Sequence, residues 1–130
     1  MGDLNRLLFR KIANEINKNG GITLDQKCEE VKKGTGYFVS LVGVKRLLPN
    51  SNDEYKVSVV SSHDVEVCLK DLTKYGLLCL IGYVGFWKND CDLYADITLH
   101  IEKCWIAIAI AKVFQQKAIY DCFIRESIYF

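Results

Sequence analysis

Residues 82–121 read GYVGFWKNDCDLYADITLHIEKCWIAIAIAKVFQQKAIYD, and this stretch decides the fold. The overlapping run Leu77–Trp87 is apolar throughout and bounded by turn residues, which predicts a central strand covered on both faces. Lys88-Asn89-Asp90-Cys91 interrupts it as a hairpin turn, and Asp92–Thr98 returns as a second strand. Leu93, Ala95, Ile97 and Leu99 alternate there with Tyr94, Asp96, Thr98 and His100. The second set carries the polar groups, so its face is expected to meet water or a ligand. A helix follows over about Glu102–Gln116, with Ile106, Ile110, Val113 and Phe114 on one stripe and Cys104, Ile108 and Ala111 opposite. A helix apolar all round must be covered twice. The expectation is that it lies sandwiched between the sheet and the N-terminal helix, in a chain able to fold as a monomer. Lys117–Phe123 and Glu126–Phe130 close the fold as short strands.

Working outward, Leu4, Leu8, Ile12 and Ile16 recur every four residues, the mark of an amphipathic helix, with Asp3 as its expected N-cap. Asn19-Gly20-Gly21 stops it, since glycine accepts the left-handed conformation of a helix end. Ile22–Leu24 suits a short strand, and the charged Asp25–Gly34 a loop. In Tyr37–Val44, Tyr37, Val39 and Leu41 alternate against Phe38, Ser40 and Val42, again strand-like. Pro49-Asn50-Ser51-Asn52-Asp53 is the clearest turn cluster, and Tyr55–Val60 reads as a third strand. Ser61 or Ser62 then caps a helix over Asp64–Tyr75 whose inner face is Val65, Cys68, Leu69, Leu72 and Tyr75, closed by Gly76. These elements predict one α+β domain over residues 1–130, a mixed or mostly antiparallel sheet packed with about three helices.

Composition narrows the function. The chain has 130 residues, of which half are hydrophobic and a quarter charged, an ordinary globular balance. Its net charge of +1 lacks the basic excess of a nucleic-acid binder and the acidic excess of a DNA mimic. Six cysteines are scattered without a CxxC pair, and Met1–Phe9 lacks the apolar core of a signal peptide. Reduced thiols and a cytoplasmic setting, with no membrane association, are therefore expected.

Several residue groupings invite chemistry. Asp96, Thr98 and His100 share one strand face and would put a carboxylate beside a histidine, as acid–base work needs; a solvated strand face is the simpler reading. His100 and Cys104, even with Cys91, fall short of a zinc ligand set. Gly82 and Gly85 are not the nucleotide-binding GxGxxG pattern, so neither a cofactor nor a metal is expected. Tyr83, Phe86, Trp87, Tyr94 and Trp105 fit a core or a protein-binding surface better than a base-stacking platform. Gln115, Gln116 and Asp121 are expected to satisfy backbone groups at the helix exit and the final turn.

Taken together, GYVGFW…LYADITLHI…AIAIAKVFQQKAIYD…ESIYF resembles a loose group of short proteins from bacteriophages, prophages and conjugative elements. The shared layout is a Gly-aromatic-Trp strand (Gly85-Phe86-Trp87), a YxDIS/T strand (Tyr94-Ala95-Asp96-Ile97-Thr98), and Q-x-AIYD (Gln116-Lys117-Ala118-Ile119-Tyr120-Asp121). The resemblance implies a mobile-element accessory protein, a class in which anti-defence proteins, including direct inhibitors of CRISPR–Cas nucleases, are common. On that footing the chain is expected to be a non-enzymatic anti-CRISPR-type inhibitor, monomeric or homodimeric, that binds a protein partner rather than nucleic acid. The candidate contact residues are Asp25, Glu29, Glu30, Asp53, Glu54, Trp87, Asp90, Tyr94 and Asp96. The alternatives are a small enzyme acting on a signalling nucleotide through Asp96 and His100, or an accessory factor for the element's own replication or transfer machinery.

Overall fold

The alternation along the strands is realised as a sheet with one dry face. The computed structural model describes residues 2–48 and 58–130. In chain order the elements are helix α1 (Gly2–Asn19), strands β1 (Gly21–Leu24) and β2 (Tyr37–Leu47), and helix α2 (Ser62–Leu72), which runs into a 3₁₀ turn (Thr73–Tyr75). There follow a single helical turn α3 (Leu78–Ile81), strands β3 (Tyr83–Asn89) and β4 (Asp92–Ile101), helix α4 (Cys104–Val113), and strands β5 (Ala118–Asp121) and β6 (Glu126–Tyr129). The six strands lie in the order β1-β3-β4-β2-β5-β6, each pair antiparallel. The expected α+β class is what forms. Among the described residues, no helix is long and apolar enough to cross a membrane.

Residues opposite one another across a ladder share a face, so the register assigns every strand side chain. Ile22, Leu24, Val84, Phe86, Leu93, Ala95 and Ile97 lie on the inner face with Val42 and Val44, against Ile12, Ala13 and Ile16 of α1 and Val65, Cys68 and Leu72 of α2. The same face continues through Val39, Leu41, Leu99, Ile101, Ile119 and Ile128 to Ala107 and Ala111 of α4. All three long helices therefore cover one side of the sheet.

Strand β2 keeps this face apolar by a β-bulge. Ser40 pairs with Thr98 and Val42 with Ile97, so Leu41 is the extra residue. The bulge turns Val42 inward beside Leu41, whereas simple alternation placed it with Phe38 and Ser40. Leu77–Trp87 also departs from expectation. Its first part is helical, with Leu77, Leu80 and Ile81 exposed, and only Tyr83–Asn89 is strand. A short apolar run does not distinguish a helical turn from a strand. Here the turn carries the chain from α2 back to the sheet, with Leu78 packed against both core clusters. Nor is β3 covered on both sides, because no helix packs on its outer face.

The expected sandwich of α4 is corrected too. Helix α1 packs on α2, β1 and β3, while α4 packs on β2, β5 and β4. Small Ala107 and Ala111 let α4 approach the sheet closely, and its other flank, Trp105 and Val113, is 70% and 79% exposed. Helix α1 begins at Gly2, ahead of the cap expected at Asp3. The side chains of Asp3 and Leu4 lie outside those described, as do Pro49–Asp53 and residues 54–57. Ser58 and Val60 are buried but do not lie in a strand.

Specific polar bonds fix the helices. Ser61 caps α2 in a reciprocal box with Asp64, and Asp64 also receives the Arg46 Nε at 2.7 Å from β2. Asn17 of α1 clamps the backbone of Val60 with two bonds of 2.9 Å. The Tyr75 hydroxyl donates to the Gly43 carbonyl at 2.9 Å. At the end of α4, Gln115 is left-handed (φ 58°) and the Gln116 N–H returns to the Ala111 carbonyl at 2.8 Å, so backbone geometry rather than a glutamine side chain makes the main closure. Asp121 accepts from Phe123 and Ile124 in the last turn, as expected.

Two outcomes follow. Val113→Glu should leave stability within ~0.5 kcal/mol, whereas Ala111→Leu should cost ~1–3 kcal/mol by overpacking α4 against β2; paired denaturant titrations measure both. Burial pushes the Asp64 carboxyl up, but Arg46 and Ser61 outweigh it and hold the group below the usual aspartate value. Its contribution is thus present above about pH 4 and lost as pH falls further. Asp64→Asn should be less stable than wild type at pH 7 and lose this difference in acid, read by thermal melts across pH.

Candidate functional site

Among the described residues no helix packs on the outer face of the sheet, and three cross-strand rows organise it. Gly43, Asp96, Gly85 and Thr23 form the middle row, each directly opposite the next across β2, β4, β3 and β1. Lys45, Tyr94, Trp87 and Gly21 form the row towards the β3–β4 hairpin, and Ser40, Thr98 and Tyr83 the row on the other side. Both cross-strand neighbours of Asp96 are glycines. The middle row is a trough whose walls stand about 13 Å apart along the strands, four residues of strand rise.

Gly43 is obligatory to this arrangement: a Cβ there would stand 2.0 Å from Asp96 Oδ1 and 2.9 Å from the Ala95 carbonyl. The carboxylate therefore rests on bare backbone. The Ser40 hydroxyl donates to Asp96 Oδ2 at 3.1 Å, and the Trp87 indole N–H donates from the other wall. Burial pushes the Asp96 carboxyl above its ordinary value, and these two bonds offset only part of that. Trp87 stacks on Tyr94 with ring centres 4.0 Å apart and planes 5° from parallel. On its other flank it faces Gly21, and the ring remains 43% exposed. Thr98 is 7% exposed, and its hydroxyl finds no hydrogen-bond partner among the described residues.

Towards the far end, Phe38 makes edge-on contacts with His100 (5.3 Å) and Tyr83 (5.9 Å). His100 Nε2 lies 2.7 Å from the Thr35 carbonyl, which can only accept, so that nitrogen carries the proton. Its Nδ1 stands 3.7 Å from Glu102. Asp96 and His100 do share the strand face, but four residues apart, about 13 Å along the chain, and each has its own partners. They do not form an acid–base pair. Among the described residues no group of three or more His, Cys, Asp and Glu is placed to hold a metal ion.

The candidate contact residues divide. Trp87, Tyr94 and Asp96 come together on the open face, and Asp90 sits in the β3–β4 turn at φ 50° beside them. Asp25, Glu29 and Glu30 lie past Leu24, at the opposite end of β1 from the residue that pairs with Trp87. Asp25 holds its own loop together, accepting from the Lys27 and Glu29 N–H groups at 2.8 and 3.0 Å, while Glu30 bridges to Leu24 and pairs with Lys32 at 3.7 Å. Asp53 and Glu54 lie outside the described residues. Of the aromatic set, Phe86 points into the core and Trp105 sits on α4, away from the sheet face. Sequence reasoning missed Gly43 and Ser40 as neighbours of Asp96. A lone glycine inside β-prone Tyr37–Val44 was the available signal, since it marks close approach of another group.

Comparison of the chain with protein-family models, curated proteins and solved structures finds no match. The assignment of function therefore rests on the site.

Asp96 weakens the fold when charged. Its contribution is fully present below the ordinary aspartate range and lost as pH rises through its raised value. Asp96→Asn should therefore equal or exceed wild-type stability at pH 7, and the difference should close as the pH is lowered past about 4. Denaturant midpoints measured at several pH values check this.

Proposed function

We propose that this chain is a non-enzymatic mobile-element protein that docks through the open sheet face on a protein partner and inhibits a bacterial defence complex, an RNA-guided nuclease above all. One observation carries the docking surface: a stacked, half-exposed Trp87–Tyr94 pair stands beside a carboxylate kept on the helix-free face at a cost to stability. Aromatic anchors next to a partly desolvated charge are what interface hot spots are made of, and stability given up at one place marks function. The mobile-element setting and the defence target are supported by the Gly85-Phe86-Trp87, Tyr94–Thr98 and Gln116–Asp121 resemblance. RNA-guided nucleases present basic grooves; Asp90 and Asp92 at the hairpin end of this face, with Asp96 in its middle row, offer carboxylates to such a surface. The enzyme alternative loses its footing with the separation of Asp96 from His100.

The test is stoichiometric addition of the purified protein to RNA-guided nucleases from the host range of such elements, reading target-DNA cleavage and complex formation. Cleavage should fall, and Trp87→Ala and Tyr94→Ala should each weaken binding at least tenfold while Trp105→Ala leaves it unchanged. Inhibition that survives both sheet-face variants would move the interface elsewhere. A panel with neither inhibition nor complex would remove the defence reading.

A further inference from the structure

Resting on that docking face, we propose that the trough around Asp96 is a receptor for an arginine side chain of the partner. The guanidinium would bond the Asp96 carboxylate and lie against the Trp87 indole. Gly85 makes the room. The space over Gly43 is taken by the Asp96 carboxylate itself, whereas a Cβ at Gly85, on the other flank, would meet only the Thr98 methyl at 3.6 Å. An ionised carboxylate offers about four acceptor sites; the Ser40 hydroxyl and the Trp87 indole take two of them. Among the described residues no ion pair involves Asp96, although Lys45 stands in the neighbouring row. In the row on the other side the buried Thr98 hydroxyl has no hydrogen-bond partner among the described residues.

Charge and shape choose the occupant. An incoming anion is repelled, and a neutral apolar group would leave a half-buried carboxylate further desolvated and unpaired. A cation relieves both. Arginine fits better than lysine because a planar fork of donors matches a carboxylate and the same plane stacks on an aromatic ring, whereas an ammonium is a compact, strongly hydrated point charge. The Trp87 indole N–H bonds the carboxylate, which places the half-exposed ring within reach of a guanidinium held by Asp96.

The experiment needs no partner, so its result is independent of whether the nuclease reading stands. The full chain, ¹⁵N-labelled, is titrated with N-acetyl-arginine-N-methylamide to tens of millimolar, and in parallel with the lysine and citrulline counterparts. The two indole N–H signals separate the site from the background, since Trp105 lies on the exposed flank of α4. The expected result is saturable movement of the Trp87 indole and the Gly43 and Gly85 amides with arginine, with Trp105 still. Lysine should bind at least threefold more weakly, and citrulline, of the same shape without the charge, should produce no saturable shift. Asp96→Asn, which retains the fold, should abolish the arginine response. Equal responses to arginine and citrulline, an undiminished response in Asp96→Asn, or no response to arginine would each overturn the proposal. Lysine matching arginine would overturn its guanidinium selectivity.

Discussion

One extra residue in β2 holds the two-faced sheet together. Side chains alternate along a strand with a period of two, so a shift by one exchanges the faces. Up to Ser40 the odd positions face inward; after it Val42, Val44 and Arg46 do, because Leu41 is accommodated as a bulge. Without it, either Tyr37 and Val39 or Val42 and Val44 would face water. Gly43 would then turn into the core and Asp96 would lose its floor. A bulge also bends its strand, and the apolar interior divides here: α1 and α2 cover one part and α4 the other, with Val42 touching both. A feature that balances the core thus also sets the site.

Two aspartates show how the same side chain serves opposite ends. Asp64 is buried on the helix side, and the fold gives it a guanidinium at 2.7 Å, a serine hydroxyl and a backbone N–H. Those bonds outweigh desolvation and lower its proton affinity. Among the described residues Asp96 receives only two neutral donors and no cation, so desolvation prevails. Asp64 supports the structure when charged and Asp96 opposes it. The difference separates a charge that the fold uses from one that it carries at a cost, and the second is the charge on which the proposed docking face rests.

Much of this was legible in the sequence. The β4 alternation placed Asp96, Thr98 and His100 on one face, Ser61 announced the start of α2, and the Val65–Cys68–Leu72 stripe gave its buried side. What periodicity could not reveal were the events that break it. The bulge at Leu41 changes the phase without any turn residue, and Leu77–Ile81 has strand-like composition but coils because the chain must reverse between α2 and β3. The apolar content of α4 suggested burial on two sides. The structure instead buries its alanines and exposes Trp105 and Val113, since close approach to a sheet favours the small side chains. As for the site, Trp87, Tyr94 and Asp96 drew notice as residue types, but their junction depends on strand register, which no single stretch encodes.

That register also explains why the proposed docking surface lies on the side that the described helices leave uncovered. Covering the outer face would require apolar side chains at the positions that β2 and β3 give to Gly43 and Gly85. A side chain at Gly43 would collide with Asp96, and filling these positions would close the space around the carboxylate. The glycines weaken the strands, because they lose more backbone entropy on folding and offer nothing to pack. The sheet compensates on its inner face, where the opposing residues Ala95, Ile97, Phe86 and Leu93 are buried almost completely. A strand can carry both demands because consecutive residues face opposite ways. Trp87 sits immediately beside Phe86, and Asp96 between Ala95 and Ile97, so a well-buried part of the core backs these outward residues. Backing of that kind would preorganise the proposed docking face and lower the entropy cost of binding.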